Sequence, residues 1–340
     1  MSSAGKAPRG ASVAEIAART GVPVGTVARV LSASGSNDAE RRRAVREAGE
    51  LLSAESTASE GAPGICAAKT IGVLTELSES SYCSTLTAGI ADALAAHGYT
   101  ALRISGEWSA RQEAEQVLQL AARRADGVIL LGSMMDDAQL LRLSAHLPIV
   151  LTGRMLCGER VRSRCVDNLG GARLAVNHLL SLGHRRIAHI AGPPDQWDAR
   201  ERLAGYRVAL EEAGLRFDPN LVVQGGFLKG GGLAAMHALL ERAAAFTAVF
   251  AGNDLSAWGA RIALQRYGIR VPDDISLVGF DDAVDVVAKE PRLTTIRQPV
   301  YELGRAAAVD MIELVGETAR EGVAVRPLEL VIRDSTRRLR

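Results

Sequence analysis

Apolar residues follow two different periods along this chain. Between Ser12 and Leu31 they recur at three- and four-residue intervals, with Val13, Ile16 and Ala17 on one stretch and Val27, Val30 and Leu31 on the next, the spacing of helices buried along one face. From Thr70 onward the pattern changes to short, continuously apolar runs at 70–74, 127–131, 149–151, 186–190, 247–250 and 275–278. Runs of that length predict strands covered on both faces. Helix-length segments separate them, near 84–97, 109–123, 136–146, 170–182, 198–213, 230–243, 255–267 and 300–315. Strand and helix in repeated alternation predict an α/β fold of doubly wound parallel sheets. About a dozen strands is too many for one compact sheet, so two lobes are expected. The default ligand site then lies between their facing edges, beyond the C-terminal ends of the strands.

The N-terminal helices carry their own punctuation. Ser12 is a good N-cap, and Glu15 three residues later completes a capping box. Gly21 falls where the chain must turn sharply, and Pro23 suits the first position of a second helix. Val27, Val30 and Leu31 then face the first helix, which leaves Val24, Gly25, Ala28 and Arg29 on the outer side. This is the helix-turn-helix arrangement, in which the first turns of the second helix meet base edges in the major groove. An ordinary αα-hairpin in a larger core shows the same apolar pattern, and charge separates the two readings. Residues 1–46 hold eight basic side chains against three acidic ones, whereas the whole chain is only +1. A basic excess confined to this segment is the footprint that phosphates require. A third helix is expected from a cap at Asn37 or Asp38 to about Leu52.

At 340 residues, 47% hydrophobic and 23% charged, the chain has room for a small headpiece and two medium lobes. Nothing approaches the roughly 18 uninterrupted apolar residues of a bilayer span, and the first residues lack the apolar stretch of a signal peptide, so a cytoplasmic chain without membrane association is expected. Cys66, Cys83, Cys157 and Cys165 show no ligand-type spacing, which predicts free thiols and no metal site. Residues 53–69 are rich in Ser, Ala, Gly and Pro and read as a linker. No GxSxG elbow, GxGxxG after the first strand, phosphate-binding GxxxxGK[ST] or HExxH is present, so neither an enzyme nor a cofactor is expected.

Six core segments carry a family resemblance in addition to the helix-turn-helix: Thr70-Ile-Gly-Val, Leu182-Gly-His-Arg-Arg-Ile-Ala-His-Ile-Ala-Gly192, Arg200-Glu-Arg-Leu-Ala-Gly-Tyr206, Phe250-Ala-Gly-Asn-Asp254, Val271-Pro-Asp-Asp-Ile-Ser-Leu-Val-Gly-Phe-Asp-Asp282 and Leu293-Thr-Thr-Ile-Arg-Gln-Pro299. In this order, over almost the entire length, they make the chain resemble transcription factors of the LacI/GalR (lactose/galactose repressor) family. The resemblance implies a cytoplasmic homodimer that binds operator DNA. Its core would be similar to periplasmic sugar-binding proteins, with a cleft closing on a small effector, a sugar, sugar acid or similar metabolite. It also implies a headpiece at 1–52, a hinge at 53–69, and a core at 70–340 whose chain crosses between lobes three times. The N-terminal lobe would be about 70–168 plus 299–325, and the C-terminal lobe about 169–298 plus 326–340. No heptad helix follows at the C-terminus, which favours a dimer over a tetramer.

Effector residues follow from the same resemblance. Arg202, before Leu-Ala-Gly-Tyr206, matches the arginine that forks onto ligand hydroxyls or a carboxylate, a task suited to paired donors. Asp281 matches the carboxylate that accepts from sugar hydroxyls, and Asn253 can donate and accept. Tyr82 and Phe227 fall where aromatics line and cover the ligand, and Gln298 is a further candidate on the hinge strand. Each residue also has an ordinary use: Asp281 as a helix cap, Arg202 in a surface ion pair, Tyr82 and Phe227 in the core. Two positions depart from the family pattern. Gly153 stands where many relatives have an aspartate, and Leu77 replaces an acid after the first core strand. Both changes remove a polar contact, so a plain hexose does not follow.

The hinge departs furthest. Relatives fold this segment on DNA into a helix that pushes a leucine into the minor groove, whereas here ungapped alignment puts Pro63 at the leucine and Gly61 and Gly64 at the basic positions. Residues 47–62 carry four acids and no Lys or Arg, which phosphates repel. Minor-groove insertion is therefore expected to be weak or absent, leaving specificity to the major-groove helix. There Val24, Gly25 and Arg29 fall on base-contacting positions and Thr26 on a phosphate. A solute-binding protein of the periplasmic type without DNA function is the alternative, but it would carry a signal sequence and no basic headpiece. With Gly25 lacking a side chain, Arg29→Ala is expected to cost about 1–3 kcal/mol of discrimination at one base pair. Competition binding with single-base-pair operator variants measures this; a loss equal for all sequences would make Arg29 a phosphate contact.

Overall fold

In a computed structural model, which describes residues 69–75, 80–105, 109–242, 245–316, 318 and 323–339, the apolar runs form the interiors of two sheets. The helix-turn-helix with Val24, Gly25, Thr26 and Arg29, the third helix, the linker up to residue 68 with Pro63, and Leu77 lie outside the described residues. The first sheet contains β1 (Thr70–Thr75), β2 (Thr100–Ser105), β3 (Gly127–Leu131), β4 (Ile149–Thr152) and β5 (Val161–Arg164) in the order β2-β1-β3-β4-β5, every pair parallel. Successive side chains of a strand point to opposite faces. Ile71, Val73, Ile129 and Val150 accordingly meet α1 (Ser81–Ala96), while Val128, Leu130, Ile149 and Leu151 meet α2 (Ala110–Ala122) and α3 (Asp137–Ser144).

The chain then passes into α4 (Asn168–Ser181) and builds the second sheet from β6 (Ile187–Ala191), α5 (Trp197–Glu212), β7 (Val222–Gln224), α6 (Lys229–Glu241), β8 (Ala248–Ala251), α7 (Asp254–Arg266), β9 (Ser276–Asp281), the short α8 (Val284–Val287) and β10 (Thr294–Arg297). It returns as α9 (Val300–Leu314), which packs beside α1 on the first sheet, and ends with β11 (Glu329–Val331) on the second. The second sheet runs β11-β10-β9-β8-β6-β7, with α4 and α5 on one face and α6 and α7 on the other. One strand departs from the parallel expectation: β11 pairs antiparallel to β10, which a strand added from the sheet edge can do without a crossover. β2, β5, β7, β10 and β11 were not among the apolar runs. Apart from β10 these are short or half-exposed strands toward the sheet margins, where alternating or polar residues suffice.

In each sheet the strand order reverses next to the first strand, between β1 and β3 and between β6 and β8. Loops leaving the C-terminal ends of strands on the two sides of such a reversal diverge and leave a crevice. Helices α1 and α9 approach closely at two glycines: a Cβ on Gly89 would stand 2.2 Å from the Tyr301 carbonyl oxygen, and one on Gly304 2.2 Å from that of Leu86. Gly89→Ala is expected to cost about 1–3 kcal/mol by overpacking, read as a fall in Tm by thermal denaturation. An unchanged Tm would mean that the two helices separate without penalty.

Candidate ligand-binding site

Strand ends of both sheets border one cavity of about 300 Å³. From the first sheet come Thr75 at the end of β1, Leu131 and Gly132 at β3, and Thr152 and Gly153 at β4. The second sheet and its helices contribute Asp198 and Arg202 from α5, Asn253 before α7 and Asp281 at the end of β9. Tyr82 enters from the first turn of α1, whose N-cap Ser80 accepts the Tyr82 backbone N–H at 3.2 Å.

Arg202 organises the polar wall. Its Nε donates to Asn168 Oδ1 at 2.8 Å and Nη1 to the Gly252 carbonyl at 2.6 Å, while Nη1 lies 3.5 Å from Asp281 Oδ1. Its guanidinium carbon is 3.8 Å from the Phe280 ring centre and 5.2 Å from that of Phe227. The Asp281 backbone has φ +120, a region costly for a side chain bearing Cβ. Gln298 holds that conformation, donating from Nε2 to Asp281 Oδ1 at 2.7 Å. Asp198 Oδ1 accepts from Asn168 Nδ2 at 2.8 Å. Burial pushes the carboxyl groups of Asp198 and Asp281 up to about 6, although Arg202 pulls both down. Burial also raises the Tyr82 phenol well above its ordinary value, with added repulsion from Asp198 and Asp281. Arg202 is thus a buried cation facing two reluctant anions, the kind of environment in which functional groups cluster.

Five of the six residues named from sequence line this cavity: Tyr82, Arg202, Phe227, Asn253 and Asp281. Gln298 does not; it is buried behind Asp281 and borders a second cavity together with Ser81, Arg297 and Tyr301. Asp281 caps no helix, since α8 begins after Ala283, and Arg202 is only 4% exposed rather than at the surface. Asn253 is an N-cap, its Oδ1 accepting from Ser256 N at 2.9 Å, and its Nδ2 also donates to the Phe227 carbonyl at 3.0 Å. Phe227, at φ +59, lies across two glycines; a Cβ on Gly192 would stand 2.2 Å from its ring.

Sequence reasoning missed Asp198. One signal was present, because Asp198 and Arg202 are four residues apart on a helix and share a face. A Cβ on Gly153 would lie 2.8 Å from Asp198 Oδ2. The carboxylate expected at 153 is therefore absent, but one from the opposite side occupies that neighbourhood. Gln196 was also missed; it borders the cavity, and its buried Nε2 has no hydrogen-bond partner among the described residues. Among the described residues no group of His, Cys, Asp and Glu is placed to hold a metal ion, and no helix is long and apolar enough to cross a membrane. Cys157 and Cys165 are free thiols, and burial pushes the Cys165 thiol up to about 12.

Comparison with known proteins finds the same architecture. Residues 176–336 match the periplasmic binding protein-like domain family. The HTH-type transcriptional regulator CelR of Thermobifida fusca is 35% identical over 331 residues, covering 94% of this chain and 96% of that protein. A solved CelR–cellobiose complex superimposes with a TM-score of 0.71 at 34% identity, covering 96% of this chain and 99% of the other. A LacI-family transcriptional regulator from Burkholderia phymatum gives a TM-score of 0.75 at 30% identity, covering 79% of this chain and 100% of its own.

Asp198 has a folded-state pKa above its unfolded value of about 3.8, so the folded chain binds the extra proton between about pH 4 and 6 and loses stability as pH rises through that window. Asp198→Asn removes this loss. In the ligand-free protein the variant is expected to melt a few degrees above wild type at pH 8, with the two converging near pH 4; a constant offset at all pH values would show that Asp198 does not titrate in this range.

Proposed function

The chain belongs to the LacI family of transcriptional regulators, and on that premise we propose that it is a repressor whose operator affinity is switched by a sugar or sugar-derived effector held between the two lobes. One observation carries the reading: Arg202 is buried, Asp281 nearly so and Asp198 partly, around a cavity, an expensive arrangement unless a hydrogen-bonding solute fills it. The cellobiose bound by the CelR relative supports a sugar.

In this reading residues 1–52 form the DNA-binding headpiece, with Val24, Gly25 and Arg29 at base edges and Thr26 at a phosphate, and residues 53–69 form the hinge. The lobes comprise 70–168 with 299–325 and 169–298 with 326–340. A homodimer brings two headpieces to two operator half-sites, because an operator palindrome mirrors protein two-fold symmetry. In the cleft Asp198 and Asp281 accept from effector hydroxyls while Arg202 and Gln196 donate. Asn253 uses its remaining amide hydrogen, and Tyr82 and Phe227 flank the ring. Gln298 acts through Asp281. Closure then shifts the headpieces by an amount set by the effector's differential affinity for the two states.

Operator binding of the full chain, followed by fluorescence anisotropy against a duplex selected from genomic fragments, tests this. Asp281→Asn is expected to leave effector-free DNA binding intact and to raise the effector concentration needed for the response by about 10- to 100-fold, the loss of one charge-assisted hydrogen bond. A wild-type chain that binds no duplex, with or without sugars, would overturn the reading.

A further inference from the structure

We propose that Arg333, near the C-terminus, is a positioning residue for effector recognition: it holds Asp282 and so fixes the backbone that aims the Asp281 carboxylate into the cleft. The proposal rests on the effector-switched reading above and adds to it a residue that does not border the cavity. Asp281 and Asp282 are consecutive non-glycine residues at positive φ, +120 and +60. One such residue is uncommon, and two in succession are costly unless their surroundings fix them. Gln298 and Arg202 engage the carboxylate of the first. The second has its own clamp: Asp282 Oδ1 accepts from Arg333 Nη2 at 2.6 Å, and Oδ2 from Arg297 Nε at 2.7 Å.

The two arginines are not equivalent. Arg297 lies across from Asp281 in the β9–β10 register, and its side chain is 45% exposed. Arg333 follows β11, with 17% of its side chain exposed against 11% for Asp282. It is also anchored in the sheet, its Nη1 donating to the Leu293 carbonyl at 2.7 Å and its backbone N–H to Thr294 Oγ1 at 2.9 Å. Ser335 stitches the same segment to β9 and β10, donating to the Leu277 carbonyl at 2.6 Å and accepting from the Thr294 N–H at 2.8 Å. Removing one partner of a mostly buried ion pair leaves the other charge short of water. Asp282 then regains hydration by turning its carboxylate outward, which releases the hold on its positive φ and rotates the peptide it shares with Asp281. Arg333 thereby sets the aim of a cleft residue from 51 positions beyond Asp282. A simple tail anchor would loosen the C-terminus and leave that peptide in place.

Crystal structures of the ligand-free full chain and its Arg333→Ala variant, with calorimetric titration of both by cellobiose, the sugar bound by the CelR relative, test this. In Arg333→Ala the Asp282 φ is expected to turn negative, the Gln298–Asp281 hydrogen bond to break, and cellobiose affinity to fall about tenfold. Arg333→Lys keeps the charge and the aliphatic stem without the planar fork, and is expected to show the same displacement in a folded chain. Asp282→Gly reaches positive φ without strain, so in that background Arg333→Ala should change affinity by less than about twofold. Arg292→Ala removes the exposed Arg292–Asp334 pair of the same segment and is expected to leave affinity unchanged. An unmoved Asp281–Asp282 peptide in the Arg333 variants, an affinity loss equal with and without Asp282→Gly, or a matching loss in Arg292→Ala overturns the inference. A wild-type chain that ignores cellobiose counts against that sugar, and the ligand-free structures then decide. None of these outcomes touches the regulator reading, which stands or falls on operator binding.

Discussion

A guanidinium taken out of water has to be met by partners on every side, and Arg202 imposes that condition on the whole cleft. The desolvation cost of such an ion is several kcal/mol, about as much as its pairing can return. Its partners come from the start of α4 (Asn168), the loop after β8 (Gly252), the end of β9 (Phe280 and Asp281) and the loop after β7 (Phe227). Each loop is thereby referred to one rigid planar group projecting from α5. Asp281 keeps its strained backbone because Arg202 and Gln298 both require its carboxylate there. Asn168 bridges Arg202 and Asp198, so the two helical residues facing the cavity are set by a common partner.

Close to this centre, side chains that matter occupy space which glycines leave open. Phe227 covers Gly192 and Gly252, Asp198 reaches toward Gly153, and Asp254 fits against Gly279, where a Cβ would come within 2.1 Å of its Oδ1. Asp254 is fully buried at the start of α7 and accepts from Thr295 Oγ1 at 2.6 Å and from the Ala283 backbone N–H at 2.8 Å. It thus ties β10 and the β9–α8 loop together directly behind Asp281. Exchange of volume between two positions explains why Gly153 need not mean a weaker site. A carboxylate at 153 and Asp198 compete for the same place, and this chain carries the second.

The same burial that keeps the cleft poised also makes it costly when empty. Burial raises the Asp198 and Asp281 carboxyl groups to a pKa of about 6, so at neutral pH they are ionised at a cost, and ionised oxygens make the stronger hydrogen bonds to hydroxyls. Ligand binding in the proposed switch replaces lost hydration with directed bonds, and closure of the cleft adds contacts from the first lobe. Such a difference between open and closed states is the sole means by which an effector shifts a conformational equilibrium.

Periodicity was enough to locate most of the fold. The six apolar runs and eight helical segments match strands and helices of the two sheets because the side-chain periods of strand and helix are local properties. Strands such as β5, with Val-Arg-Ser-Arg, and β11, with Glu-Leu-Val, left no such trace, since a short strand at a sheet margin draws its hydrogen bonds from a neighbour rather than its place from burial. Motif order likewise led to Arg202, Asp281, Phe227, Asn253 and Tyr82, whose positions follow the strand ends. What only the tertiary structure decided was how these residues divide the work. Asp198 enters the cleft, Gln298 stands behind Asp281, Asn253 is also a helix cap, and the charged side chains that border the cavity among the described residues all come from α5 and β9. Residues far apart in sequence meet there, and which of them touch depends on the distances between loops of two sheets, a quantity that no local pattern of side chains records.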